Sequence, residues 1–196
     1  MEVNVLNFIT QFDYSILDFI YQNIRCDFLD PIMAGLSYMA YNGIGLIVIA
    51  VVLIIPRKTR VWGCMALCAI ILGFICGDLI IKNLVCRVRP YDDYQNFHNA
   101  VMPFTLNAGK ETSYSFPSGH SNCAFASATV YFKANKKIGT VALVIAALIA
   151  FSRLYNYVHF LTDVIVGSAL GIISAIVVIG LFDKFNVEQK ILKPVQ

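Results

Sequence analysis

The sequence predicts an all-α membrane protein, a polytopic helix bundle of about five spans preceded by an N-terminal amphipathic interfacial helix. Three observations lead there. Of 196 residues, 58% are apolar and only 14% are charged, and the mean hydropathy is +0.69; this composition suits a bilayer rather than water. The apolar residues form long uncharged runs divided by short polar stretches. The basic residues gather at alternate ends of those runs.

The first unit is residues 1–30. Val5, Leu6, Ile9, Phe12, Ile16, Leu17, Phe19, Ile20 and Ile24 recur at spacings of three and four among Asn, Gln and Asp, the period of an amphipathic helix. This helix is too polar to span, so it lies in the membrane interface or packs on the bundle surface. Asp13, Asp18 and the lack of a small-residue cleavage site speak against a removable signal peptide.

The second unit, residues 31–182, is the membrane-embedded domain. Asp30-Pro31 reads as a helix start. Five spans follow: Pro31 to Ile55, Val61 to Ile81, Ser118 to Phe132, Ile138 to about Phe151, and Leu161 to Phe182. A long polar and aromatic stretch, 83–117, joins the second to the third. Residues 183–196 form a polar tail. Arg57, Lys58 and Arg60 follow span one, Lys133, Lys136 and Lys137 follow span three, and Lys184, Lys190 and Lys193 follow span five. Alternation puts these clusters on one side, which the positive-inside rule makes cytoplasmic along with the tail. The N-terminus, the 83–117 stretch and the Asn156–Phe160 turn are then extracytoplasmic. Gly73/Gly77 and Gly167/Gly171 have the spacing of close helix packing. The cysteines read as small buried hydrophobes, and Cys64/Cys68 have no neighbours fit for a metal site. A net charge of +3 gives no reason to expect a nucleic-acid partner.

Three polar clusters fall at the outer side: Lys82 to Pro90, Phe116 to Ser121, and Ser152 to Asp163. Ionisable groups at a membrane segment mark function by default. Lys82, Arg89 and Arg153 would repel one another unless an anion sat among them, and Arg and Lys suit phosphate oxygens. Ser118-Gly119-His120 opens a helix, whose free N–H groups and dipole favour the same anion. Asp163 follows His159 by four residues, so on a helix the two would share a face and the carboxylate would fix the imidazole tautomer. His159 is thereby the nucleophile, and His120 the acid that protonates the leaving oxygen. No carboxylate cluster offers a dinuclear metal site, so metal-independent chemistry is expected, without cofactor. Asp78, four before Lys82, would hold that lysine. Arg87 and Lys110 read as spare cations for a second phosphate, His98 as a solvated loop histidine, and the aromatics of 83–117, Phe104 among them, as an interfacial belt.

K-x6-R-P (Lys82, Arg89, Pro90), P-S-G-H (Pro117 to His120) and S-R-x5-H-x3-D (Ser152, Arg153, His159, Asp163) resemble the three signature motifs of the type 2 phosphatidic acid phosphatase superfamily. The resemblance covers about residues 31–182. It implies that Lys82, Arg89, Ser118, Gly119 and Arg153 bind phosphate. It further implies that His159 forms a phosphohistidine, that His120 protonates the leaving group and then activates water, and that Asp163 orients His159. Many membrane members have six spans; here the amphipathic helix stands in place of the first. The expected reaction is hydrolysis of a lipid phosphate or diphosphate at the outer leaflet, with undecaprenyl diphosphate favoured over phosphatidylglycerophosphate and phosphatidic acid. A soluble haloperoxidase shares such an anion site but has no spans. A lipid-binding or transport protein would need the cations but not both histidines and Asp163. Oligomeric state is not legible.

Overall fold

The computed structural model describes residues 2–39, 43–103 and 111–192. Among these, the regular structure is helical: α1 Glu2–Asn23, α2 Asp30–Met39, α3 Ile44–Ile54, α4 Arg60–Phe74, a π-helical segment Ile75–Ile81, α5 Lys82–Val85, α6 Pro90–His98, α7 Gly119–Ala134, α8 Lys136–Tyr155, α9 Leu161–Lys184 and α10 Val187–Leu192.

α7 is the hub, packed against α4, α8 and α9. Its buried positions include Cys123, Ala124, Ala126, Ser127 and Ala128, small side chains that let neighbouring backbones come close. The glycine pairs serve that approach. A Cβ on Gly167 would lie 2.4 Å from the Ser118 carbonyl oxygen, one on Gly171 2.2 Å from that of Asn122, and one on Gly73 2.4 Å from Asn122 Oδ1. Asn122 is itself buried, and its Nδ2 donates to the Gly73 carbonyl at 2.7 Å. Outward, α3, α8 and α9 expose Val48, Val52, Val141, Val144, Ile165, Ile173 and Ile176, the apolar surface a bilayer requires.

The helix starting at Arg60, α8 and α9 are each long and apolar enough to cross a membrane; α2 and α3, bent by 54°, make a fourth if they form one broken span. The run from Pro31 to Ile55, expected as the first span, thus contains two helices, α2 and α3. α7, expected as the third span, has 16 residues. At 1.5 Å per residue this is about 24 Å, less than a hydrocarbon core of about 30 Å. Its partners shield it, so its own hydropathy need not be high.

At one end of the bundle Arg57 Nη2 donates to the Leu192 carbonyl at 2.9 Å, and Lys133 lies 3.8 Å from Asp183. Two of the predicted basic clusters therefore share an end with the chain's last described turn. Lys193 lies outside the described residues.

At the other end α1 is docked onto the bundle. Tyr14 and Leu17 are fully buried in a cluster with Leu154, Tyr155, Tyr157 and Phe160. α6, which lies in the stretch read as polar and aromatic, caps this end. Pro90 sits in its first turn with Asp92 and Asp93, a start signal that was available in the sequence. Tyr91 is buried, and the more exposed Phe97 stacks on Tyr14 at 3.8 Å between centroids. His98 is not a solvated loop residue. It lies in the last turn of α6, its ring 5.2 Å from Tyr14 and 4.2 Å from Tyr94 and its Nε2 3.5 Å from Asp18. Phe104 lies outside the described residues.

Candidate active site

Each site residue is aimed by a local feature of its own segment. The π-helical segment carries Asp78 and delivers Lys82 directly after it; such widened turns are common at functional sites. Lys82 Nζ donates to Asp78 Oδ1 at 2.6 Å, the partnership its spacing predicted. Arg89 precedes Pro90, which disfavours a helical conformation for it. It is extended, at φ −77° and ψ 152°, and its side chain turns into the bundle, where it is buried.

Ser118 caps α7. Its Oγ accepts from the backbone N–H of Ser121 at 3.4 Å, and its own N–H donates to the Asp163 carbonyl at 3.0 Å. Gly119 follows because a Cβ there would lie 3.0 Å and 3.1 Å from the two carboxylate oxygens of Asp78. His120 is buried, and its Nε2 has no hydrogen-bond partner among the described residues.

Arg153 lies in the last turn of α8, buried, with Nε unpartnered among the described residues. The chain then turns through Tyr157, whose φ of +58° is left-handed, a conformation uncommon for a non-glycine residue. Its hydroxyl donates to Asp18 of α1 at 2.7 Å. The turn places His159 before α9 rather than on it, which corrects the expectation that His159 and Asp163 share a helix face. Nδ1 is 3.5 Å from Asp163 Oδ2, at ion-pair distance but without hydrogen-bond geometry. Nε2 is 3.3 Å from Arg89 Nη1.

Asp163 is held mainly by other groups. Oδ2 accepts from the Phe160 N–H at 2.9 Å and from the Ser115 hydroxyl, and Oδ1 accepts from Arg87 Nη1 at 2.7 Å. Arg87 is therefore no spare cation. Its Nη2 is bound to the buried Asp13 of α1 at 2.7 Å, and its guanidinium carbon lies 3.9 Å from the centre of the Phe160 ring. Lys110, its predicted companion, lies outside the described residues.

Of the phosphate-binding candidates, Lys82 and Gly119 line a cavity of about 360 Å³ together with His120, His159, Asp78 and Glu111, and Ser118 does not. Arg89 and Arg153 reach it through Glu111, a residue the sequence reading did not single out. Arg89 Nη2 donates to Glu111 Oε2 at 2.6 Å, and Arg153 Nη2 donates to Oε1. The anion that Arg89 and Arg153 demand is, in this state, the chain's own Glu111 carboxylate, whereas Lys82 is met by Asp78. Burial alone would raise the Glu111 pKa, but the guanidiniums of Arg153 and Arg89 outweigh it and pull it down to about 2. Burial, reinforced by Arg89 and Arg153, holds His159 well below its ordinary 6.5. The imidazole is consequently neutral at neutral pH, the form a nucleophile requires.

The PAP2 superfamily model matches residues 61–186, a range that includes all three motifs. A phosphatidylglycerophosphatase B of Bacillus subtilis is 30% identical over 177 residues, covering 83% of this chain and 80% of that protein. An undecaprenyl-diphosphatase of Sulfolobus acidocaldarius is 31% identical over 124 residues, covering 63% of this chain and 56% of that protein. Among solved structures, LpxE of Aquifex aeolicus superposes with a TM-score of 0.70 at 27% identity, over 88% of this chain and 95% of that one. This multi-pass membrane protein belongs to the PAP2 phosphatase superfamily.

Proposed function

We propose that the protein removes a phosphate from a lipid phosphate or diphosphate at the extracytoplasmic face of the membrane, without a metal, through a phosphohistidine on His159. The observation that carries this reading is the meeting of two histidines with Lys82 and the start of α7 at one cavity, whose wall residue Glu111 is held by Arg89 and Arg153. His159 Nε2 attacks phosphorus. Lys82, Arg89, Arg153, the Ser118 hydroxyl and the Gly119 N–H take up the charge on the equatorial oxygens, the role a metal plays elsewhere. His120 gives its proton to the leaving oxygen. It then removes a proton from the water that splits the P–N bond, releasing phosphate and restoring His159.

Five membrane segments fit the bundle if α2 with α3 counts as one, α4 with its π-helical continuation as the second, and α7, α8 and α9 as the rest. α1 then rests in the outer interface above the cavity, and the end bearing Arg57 and Lys133 is cytoplasmic.

Undecaprenyl diphosphate is the favoured substrate, supported by the name of the Sulfolobus relative. A phosphatidylglycerophosphate is the second reading, favoured because the Bacillus relative matches more of this chain and because Arg87 is committed to Asp13 and Asp163. Purified protein in EDTA, given undecaprenyl diphosphate, phosphatidylglycerophosphate and phosphatidic acid beside His159→Ala, tests both readings. Release that survives EDTA and vanishes in the variant supports the histidine mechanism, and the rate order identifies the lipid. No release from any of them by folded protein contradicts the proposal and favours a lipid-binding or transport role.

A further inference from the structure

The Glu111 carboxylate is seated where a substrate phosphate would be. Its two oxygens are divided between Arg89 and Arg153, whose side chains are 1% and 2% exposed. A phosphate that engages both guanidiniums must therefore take the place of this carboxylate. The backbone of Glu111 is fastened separately, its N–H donating to the Tyr91 hydroxyl at 3.0 Å and its carbonyl accepting from the same hydroxyl at 2.8 Å. The side chain, on the cavity wall and 19% exposed, can leave without unseating the backbone.

We propose that Glu111 is a specificity-determining residue: it competes for the Arg89–Arg153 pair, admitting doubly charged terminal phosphates and rejecting the phosphodiester headgroups of the surrounding bilayer. This rests on the phosphate-site reading above. A phosphodiester carries one negative charge, as the carboxylate does, so exchanging one for the other gains little Coulomb energy. The tethered carboxylate also competes at a high effective concentration. A terminal phosphomonoester carries about −1.5 to −2 charges and three strong acceptor oxygens, so it can displace Glu111 and still engage Lys82. The need for such a filter follows from where the site lies. A cation cluster at headgroup depth faces phosphodiesters at overwhelming local density, and without an internal competitor they would fill it.

The test is calorimetric titration of the purified full chain in detergent with inorganic phosphate and with dimethyl phosphate, a soluble monoanionic diester. Wild type is compared with Glu111→Gln, and thermal melting confirms folding. Wild type should bind phosphate and prefer it strongly. In Glu111→Gln the affinity for dimethyl phosphate should rise about tenfold or more, and by a larger factor than that for phosphate, so the preference shrinks. Glu111→Asp, which keeps the charge but is too short to reach both arginines, should fall between the two and serves if the Gln variant does not fold. An unchanged preference in either folded variant overturns the filter and leaves the phosphate site standing. Weaker binding of both anions overturns it too, by making Glu111 a brace for the arginines. Absence of phosphate binding in every folded protein defeats the phosphate-site reading itself.

Discussion

Arg87 grips Asp163 at 2.7 Å through Oδ1, the carboxylate oxygen that does not face His159. The same guanidinium holds Asp13 of α1 at 2.7 Å. Both aspartates are fully buried. The N-terminal helix is thereby coupled through one side chain to the carboxylate beside His159. Arg87→Ala leaves two uncompensated buried charges, and the expected loss is about 3–5 kcal/mol of stability, measured by denaturation in detergent. Arg87→Lys keeps the charge but lacks a fork to hold both aspartates. It should fold better than the alanine variant and still lose turnover.

In the proposed reaction His120 acts on the leaving oxygen, so its importance should depend on the leaving group. His120→Asn should slow lipid hydrolysis by about 10²–10⁴-fold, the usual worth of a positioned acid or base. Release of 4-nitrophenol from its phosphate needs no proton, so phosphoenzyme formation from that ester should suffer much less, visible as a burst of nitrophenol. An equal loss on both substrates, with no burst, would remove His120 from the acid role.

Glu111 gives the fold a pH dependence of determinate sign. Its pKa is pulled from 4.5 down to about 2. A depressed folded-state pKa contributes stability that is present above the unfolded value and lost as pH falls through the folded one. The melting temperature of wild type should therefore drop between about pH 4.5 and 2 more steeply than that of Glu111→Gln, which lacks this group. Parallel curves would show that the two arginines do not hold the carboxylate ionised.

Gly167 connects helix packing to the site. An added methyl would sit 2.4 Å from the Ser118 carbonyl oxygen, and neither backbone has a side chain to swing aside. Gly167→Ala should push α9 away from the cap of α7, with a stability loss of about 1–3 kcal/mol and a raised KM. Gly180→Ala, where a Cβ meets nothing within 4 Å, is the control and should be neutral.

The three motifs were legible because phosphoryl chemistry fixes residue types at set spacings, and such types are conspicuous in apolar surroundings. Lys82 and Asp78 could be paired from helical spacing alone. Glu111 could not, because its partners come from α8 and the start of α6, and nothing local announces that the loop folds back between them. One signal existed: two buried arginines require a countercharge, and Glu111 is the acid nearest the P-S-G-H turn in that stretch. Arg87 was misjudged for the same reason, since Asp13 lies far away in sequence on a helix read as peripheral. The Asp163 spacing put that carboxylate 3.5 Å from His159 but not on a shared helix face, because α8 ends at Tyr155 and the left-handed Tyr157 leaves His159 in a turn.

The phosphohistidine is tested most directly by rapid quenching of the enzyme during turnover of a lipid substrate labelled in its terminal phosphate. The protein-bound label should be acid-labile and alkali-stable, map by mass spectrometry to His159, and be absent from His159→Ala. Label on another residue, or full turnover by His159→Ala, would contradict nucleophilic catalysis by His159.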